Sequence, residues 1–151
     1  MTQKVAMASD HAGFSMKESV KDYLMALGYE LKDFGTYSEE SCDYPDFAHP
    51  AAVAVESGEC AFGIGLCGSG NGMQMTLNKH QGIRAALCWL PELAALAREH
   101  NNANFLVLPA RFITQEECFR ITKAYLEAKF EGGRHQRRID KIACGISIEG
   151  K

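Results

Sequence analysis

The stretch "FGIGLCGSGNGM", Phe62 to Met73, sets five glycines around one cysteine in twelve residues. Glycine is the costliest residue to order, so a cluster of this kind marks a place where the backbone itself must come close to something. The run that leads into it, "CAFGIGL" (60–66), is short, apolar and of the length that fills a buried strand. The run that leaves it, "NGMQMTLNKH" (71–80), reads as a helix. A strand, a glycine loop and a helix in that order form the repeating unit of a parallel sheet, in which helices make the crossovers.

The same alternation extends in both directions. Upstream, "KVAMAS" (4–9) reads as a buried strand and "FSMKESVKDYLMALG" (14–28) as an amphipathic helix stopped by Gly28. Its apolar residues Met16, Val20, Leu24 and Leu27 recur at helical spacing. "YELKDFG" (29–35) alternates as a second strand, and after a polar loop "FAHPAAVAVESGE" becomes helical from about Pro50, a residue favoured in a first turn. Downstream, "IRAALCW" (83–89) is the fourth strand, "PELAALAREH" (91–100) a helix opened by Pro91, and "NFLVLP" (104–109) the fifth strand. "TQEECFRITKAYLEAKFE" (114–131) is a helix, with Thr114 and Glu117 spaced as a capping box. "GGRHQRRIDKIAC" (132–144) makes a last helix. The expected fold is α/β: one domain over residues 1–151, with a doubly wound five-stranded parallel sheet and helices on both faces.

Composition narrows the function classes. At 151 residues the chain is long enough for one domain with a real core, and 46% hydrophobic with 23% charged residues is the balance of a soluble globular protein. A formal net charge of −3 argues against a general nucleic-acid binder, and no apolar run is long enough to span a membrane. The N-terminal apolar stretch is broken by Ser9, Asp10 and His11, which excludes a secretory signal core. Six cysteines at 42, 60, 67, 88, 118 and 144 contain no C-x-x-C pair, which fits reduced thiols in the cytoplasm better than disulfides or zinc.

In a doubly wound sheet, ligands bind at the carboxyl ends of the strands. Asp10-His11 ends the first strand, Cys67 and its glycines end the third, and Arg111 follows the fifth, so these groups converge on one edge. Gly63, Gly65 and Gly68 spell a literal G-x-G-x-x-G, but the first two lie inside the strand, whereas a dinucleotide site needs them in the turn after it. The better reading takes "CGSGNG" as a turn whose N–H groups, backed by the following helix, face an anion or a developing oxyanion. The same field favours thiolate at Cys67. A small buried thiol beside a tight turn is the competing reading, and it accounts for the other five cysteines. Arg134 and Arg138 are i, i+4 neighbours on the last helix and suit a phosphate dianion, or else form a solvated basic face. His100-Asn101 reads equally as a helix C-cap, and Asp10-His11 as a cap for the first helix. His49 and His80 carry no signal beyond surface or core histidines.

Taken together, "SDHAGF", "DYPDFA", "GLCGSGNGM", "NK" (78–79), "GIRAAL", "REHNNANFL" and "YLEAKFEGGRHQRRI" closely resemble the type B ribose-5-phosphate isomerases, a group that includes galactose- and allose-6-phosphate isomerases. The resemblance runs from about residue 4 to 142. It implies a Rossmann-like three-layer α/β/α sandwich and a homodimer with sites built from both subunits, with pairing of dimers into tetramers left open. It implies interconversion of an aldose phosphate and its ketose through a cis-enediolate, with no metal or organic cofactor. By resemblance, Cys67 is the base, Ser69 moves protons between the two oxygens, and His100 opens the furanose ring. Gly68, Ser69, Gly70, Asn71 and Gly72 surround the enediolate oxygens, and Asp10 binds near the ring oxygen and hydroxyls. His11, Arg134 and Arg138 match the phosphate clamp, and Asn101 and Arg111 match further substrate contacts. Met73 stands where cysteine-lacking relatives carry a glutamate, and Pro109 departs from the glycine-serine pair that many relatives place before the arginine. A six-carbon sugar phosphate or a rare aldose as substrate, and a non-catalytic sugar-phosphate-binding module, are the alternatives.

Overall fold

The computed structural model describes residues 2–145. The elements run β1 (Lys4–Ser9), α1 (Phe14–Ala26), β2 (Glu30–Asp33), α2 (Pro45–Glu56), β3 (Phe62–Cys67), α3 (Asn71–Leu77), β4 (Ala85–Leu87), α4 (Pro91–Asn101), β5 (Phe105–Pro109), α5 (Gln115–Glu127) and α6 (Arg134–Ile139). All five strands are parallel, in the order β2-β1-β3-β5-β4. The expected α/β sheet is therefore present. From β1 the chain steps out to the edge at β2, then returns past β1 to β3. That reversal opens a crevice at the carboxyl ends of β1 and β3.

Strand periodicity sorts the core into two layers. Val5 and Met7 of β1, Ile64 and Leu66 of β3, and Leu106 and Leu108 of β5 pack with Val20 and Leu24 of α1, Ala94 and Ala97 of α4, and Cys118, Ile121 and Tyr125 of α5. The alternate residues Ala6, Ala8, Cys67, Phe105 and Val107 face α2 and α3, through Ala48, Ala51, Ala52, Val55, Met73 and Leu77. The residues are small where β1 faces α2, so that helix can lie close to the sheet.

The in-strand glycines belong to this packing. A Cβ at Gly63 would overlap the Phe105 ring, and one at Gly65 would lie 2.8 Å from Met73 Cγ. They make room for a ring and for a helix, and have no part in a nucleotide turn. Gly70 is different: it takes φ +81° as the residue before α3, a left-handed conformation in which a side chain is strained.

Several boundaries differ from the sequence reading. α2 begins at Pro45, not near Pro50, which lies inside the helix. Of two prolines five residues apart, the earlier one takes the first-turn position and the later is tolerated within. α5 ends at Glu127 and α6 covers only Arg134–Ile139, while the Thr114–Glu117 capping box forms as expected. Leu27 lies beyond the end of α1 and is 54% exposed, whereas Lys17 is fully buried. The Lys17 ammonium is satisfied by both Asp33 carboxylate oxygens, at 2.7 and 2.6 Å, with Lys21 also on Asp33 at 2.8 Å. Burial pushes Asp33 up, but hydrogen bonds from the two lysines and the Gly35 N–H outweigh it and hold the carboxyl below its ordinary value. His49 and His80 are also tied in: His49 Nδ1 lies 2.7 Å from His80 Nε2, and His80 Nδ1 3.1 Å from Glu56. Among the described residues, no helix is long and apolar enough to cross a membrane.

Candidate active site

Cys67 closes β3 and is 4% exposed. Three influences meet at its sulfur. Burial pushes the thiol up, and the negative charge of Asp10 adds to that; the N–H groups of Met73, Gly70 and Gly72 pull it down. The net direction is upward, so the expectation that the glycine turn alone would favour thiolate is corrected. The backbone donors are in place, but desolvation outweighs them. Once ionised, such a sulfur is a strong base in the field of three backbone N–H groups.

The surrounding loop is built as its glycines require. Ser69 is exposed, and its Oγ accepts the Asn71 N–H at 3.3 Å, so that amide is directed at the hydroxyl. Asp10, 8% exposed, accepts the Gly13 N–H on Oδ1 at 3.0 Å. It therefore shapes the entry to α1 while its charge reaches Cys67. The Cys42 N–H donates to His11 Nδ1 at 3.2 Å. A neutral His11 consequently carries its proton on Nε2, as a donor. After Pro109, the last residue of β5, the chain turns so that the Arg111 N–H donates to Gly68 O at 3.0 Å. The departure at Pro109 thus still leaves Arg111 against the glycine loop.

Tyr44 was not among the residues singled out by sequence. A Cβ on Gly72 would overlap its ring, so Tyr44 covers the loop from the α2 side. The signal was present in "CDYPD": a tyrosine just before the helix-opening Pro45 is held at the mouth of the crevice. A 450 Å³ cleft beside Ser69 is walled by Leu87, Trp89, Leu90, Pro109 and Phe112, with Trp89 52% and Phe112 74% exposed.

The remaining candidates lie elsewhere. α4 leaves the carboxyl end of β4 and finishes at Asn101, just before β5 begins at Phe105. Cys67 pairs with Pro109 and Gly63 with Phe105, so His100 and Asn101 belong to the opposite edge of the sheet. At about 3.3 Å per residue, the Phe105 row alone is about 13 Å from the Cys67 row. α6 packs on α4, which puts Arg134 and Arg138 at that far edge too, exposed and without an ion pair among the described residues. One chain therefore brings together Asp10, His11, Cys67, the 68–72 loop and Arg111, and separately gathers His100, Asn101, Arg134 and Arg138. The expected C-cap role falls to Asn102, which takes φ +45°; His100 and Asn101 are the last helical residues.

In the second group, the His100 and His135 rings stack with centroids 4.2 Å apart and planes 14° apart. Glu131 Oε1 lies 3.7 Å from His100 Nε2 and 3.5 Å from His135 Nε2. Among the described residues, these three form the one cluster of metal-ligand type. Two nearly parallel, separated ring planes cannot both contain one ion, so the cluster as folded is not shaped for coordination.

Known proteins resemble this chain over nearly its whole length. A profile of the Ribose/Galactose Isomerase family matches residues 5–142. Ribose-5-phosphate isomerase B of Escherichia coli K12 is 42% identical over 142 residues, covering 94% of this chain and 95% of that protein. The crystal structure of a ribose 5-phosphate isomerase from Thermotoga maritima superposes with a TM-score of 0.92 at 55% identity, covering 95% of this chain and 99% of that one. Ribose-5-phosphate isomerase B from Mycoplasma genitalium, solved with bound ribulose-5-phosphate, gives a TM-score of 0.90 at 44% identity over 94% of this chain and 95% of that one. Agreement in both sequence and backbone, along nearly the full length of every partner, allows one assignment: this chain belongs to the ribose/galactose isomerase family.

Proposed function

We propose that the protein interconverts ribose 5-phosphate and ribulose 5-phosphate through a cis-enediolate, with Cys67 as the base. The observation that carries this reading is a thiol at the carboxyl end of a central strand, in the field of the Gly70, Gly72 and Met73 N–H groups. The thiolate removes the C2 proton of the open-chain aldose, the electron pair forms the C1–C2 double bond, and O1 takes up negative charge. Backbone N–H groups of the 68–72 loop stabilise that charge as it develops. The Ser69 hydroxyl, at the solvent side of the loop, moves the proton from O2 to O1. Return of the proton from sulfur to C1 leaves a carbonyl at C2 and restores the thiolate.

The rest of the machinery is proposed to come from a second copy of the chain. His100 opens the furanose ring, Asn101 contacts substrate, and Arg134 and Arg138 hold the phosphate with His11. Their place at the far edge of the sheet supports a homodimer in which each site joins the loop of one subunit to the α4–α6 end of the other. Trp89 and Phe112, exposed beside Ser69, are apolar surface for such a neighbour to cover. Asp10 and Arg111 complete the loop side.

The test is ketose formation from ribose 5-phosphate, allose 6-phosphate and galactose 6-phosphate, with solvent deuterium exchange at the carbon beside the carbonyl. Ribose 5-phosphate should be the best substrate. Cys67→Ala should lose about 10²–10⁴-fold in exchange and in turnover alike, since a general base contributes on that order. A Cys67→Ala enzyme that exchanges this proton at the wild-type rate would place the base elsewhere, and inactivity of the wild type on all three sugars would refute the function. Mixing Cys67→Ala with His100→Asn subunits should restore part of the activity if sites are shared, and a failure of that complementation would refute the shared site.

A further inference from the structure

His135 has no part in the reaction as proposed, yet it is 5% exposed and its Nε2 has no hydrogen-bond partner. A buried polar nitrogen left unpaired calls for an explanation. The chain makes three separate arrangements to hold this ring where it is. Gly132 and Gly133 take φ +69° and +59°, a reversal that turns α6 back over the end of α4. The Glu131 N–H donates to Glu99 O at 3.0 Å, which pins the turn to the residue before His100. The His135 ring then lies face to face on His100, and one Glu131 oxygen stands within 3.7 Å of both Nε2 atoms.

We propose that His135 and Glu131 are positioning residues for His100: His135 fixes the plane of the imidazole that opens the sugar ring, and Glu131 supplies a negative charge beside it. This rests on the reading of His100 as the ring-opening residue. A stacked pair of imidazoles tolerates one positive charge far better than two, so the supporting ring should stay neutral while His100 exchanges its proton. Burial, with the nearby His100 and Arg134, pushes His135 below the ordinary histidine value, and the pull of Glu131 does not reverse this. That role is consistent with Nε2, which meets Glu131 at 3.5 Å without forming a hydrogen bond, while the face of His135 is stacked on His100. A planar apolar ring should therefore be able to replace it.

Sugar chemistry separates positioning of His100 from every other role. Ribose 5-phosphate is closed through O4 onto C1 and must be opened. Ribulose 5-phosphate cannot form a furanose, because its carbonyl is at C2 and O5 carries the phosphate. Deuterium wash-in at C1 of ribulose 5-phosphate needs the base and the enediolate but no ring step. Net isomerisation needs all three.

The experiment compares His135→Phe, His135→Leu, Glu131→Gln and His100→Asn with the wild-type enzyme, measuring net isomerisation and C1 wash-in. His135→Leu fills the site without a plane and should lose about tenfold or more in turnover while keeping wash-in within about twofold. His135→Phe should keep both within about threefold. Glu131→Gln, at a side chain 51% exposed and so not a folding risk, should lose at least about threefold in turnover with wash-in retained. Equal behaviour of the Phe and Leu variants, or parallel loss of wash-in and turnover, overturns the proposal. If the Leu variant does not fold, an unchanged wash-in to turnover ratio in Glu131→Gln overturns it. A His100→Asn enzyme whose ratio equals the wild type removes the ring-opening role of His100 and the proposal with it, whereas a normal His100 effect without a His135 or Glu131 effect overturns the proposal alone.

Discussion

Adding one methyl group at Gly63 and at Gly65 should have unequal consequences, and the ranking follows from what each Cβ would meet. At Gly63 it overlaps Cζ and Cε1 of Phe105 and lies 2.7 Å from Cε2. Phe105 is fully buried in β5, and a rigid ring can move only by moving its strand. At Gly65 the Cβ lies 2.8 Å from Met73 Cγ and 3.1 Å from Sδ, and a methionine side chain can re-rotate. Overpacking costs about 1–3 kcal/mol, and the chain entropy recovered on replacing glycine offsets about 0.5–1 kcal/mol. Gly63→Ala, at the top of the overpacking range, should therefore destabilise by about 2 kcal/mol or more, and Gly65→Ala by about 1 kcal/mol or less. At about 2–4 °C per kcal/mol for a domain of this size, the melting temperature should fall by about 4–8 °C and by at most about 2–4 °C respectively. Urea unfolding with a constant m-value checks the stabilities. Phe105→Leu should relieve the Gly63→Ala cost in a double-mutant cycle, with a coupling of at least about 1 kcal/mol. A Gly63→Ala protein more stable than Gly65→Ala, or a cycle with no coupling, would refute the packing account of these glycines.

Turnover should rise with pH from a midpoint above the usual thiol range, because burial and Asp10 both disfavour the Cys67 thiolate; Asp10→Asn should move that midpoint to lower pH. An acid-shifted midpoint in the wild type would contradict this. Burial pushes the Cys88 and Cys118 thiols up to about 12, so both stay protonated in the folded state after they would ionise in the unfolded chain. Stability is then lost as pH rises past about 8.5, on the order of 2–4 kcal/mol by pH 10, read from urea unfolding in reductant and diminished in Cys88→Ala/Cys118→Ala. Thr114→Ala removes the hydroxyl that accepts the Glu117 N–H at 3.1 Å, one half of the capping box, and should cost about 1 kcal/mol, with activity unchanged.

Sequence alone determined the alternation of strands and helices, the carboxyl-end placement of Asp10, Cys67 and Arg111, the capping box at Thr114, and the family. Each of these depends on local periodicity, on short-range spacing, or on motifs read whole. What only the tertiary structure decided involves residues distant in the chain. Gly63 and Gly65 are small because Phe105 and Met73 lie against them, which depends on β5 being the neighbour of β3. Lys17 interrupts an apolar helix face because Asp33 is folded onto it, sixteen residues away. The net direction at Cys67 needed the balance of burial against nearby N–H groups, and a loop sequence states only the second. The separation of the two groups of candidate residues followed from the direction of α4: a helix that starts at the carboxyl edge of a parallel sheet must end at the opposite edge. His100 and the arginines are therefore carried away from Cys67 by the same crossover geometry that makes the sheet parallel.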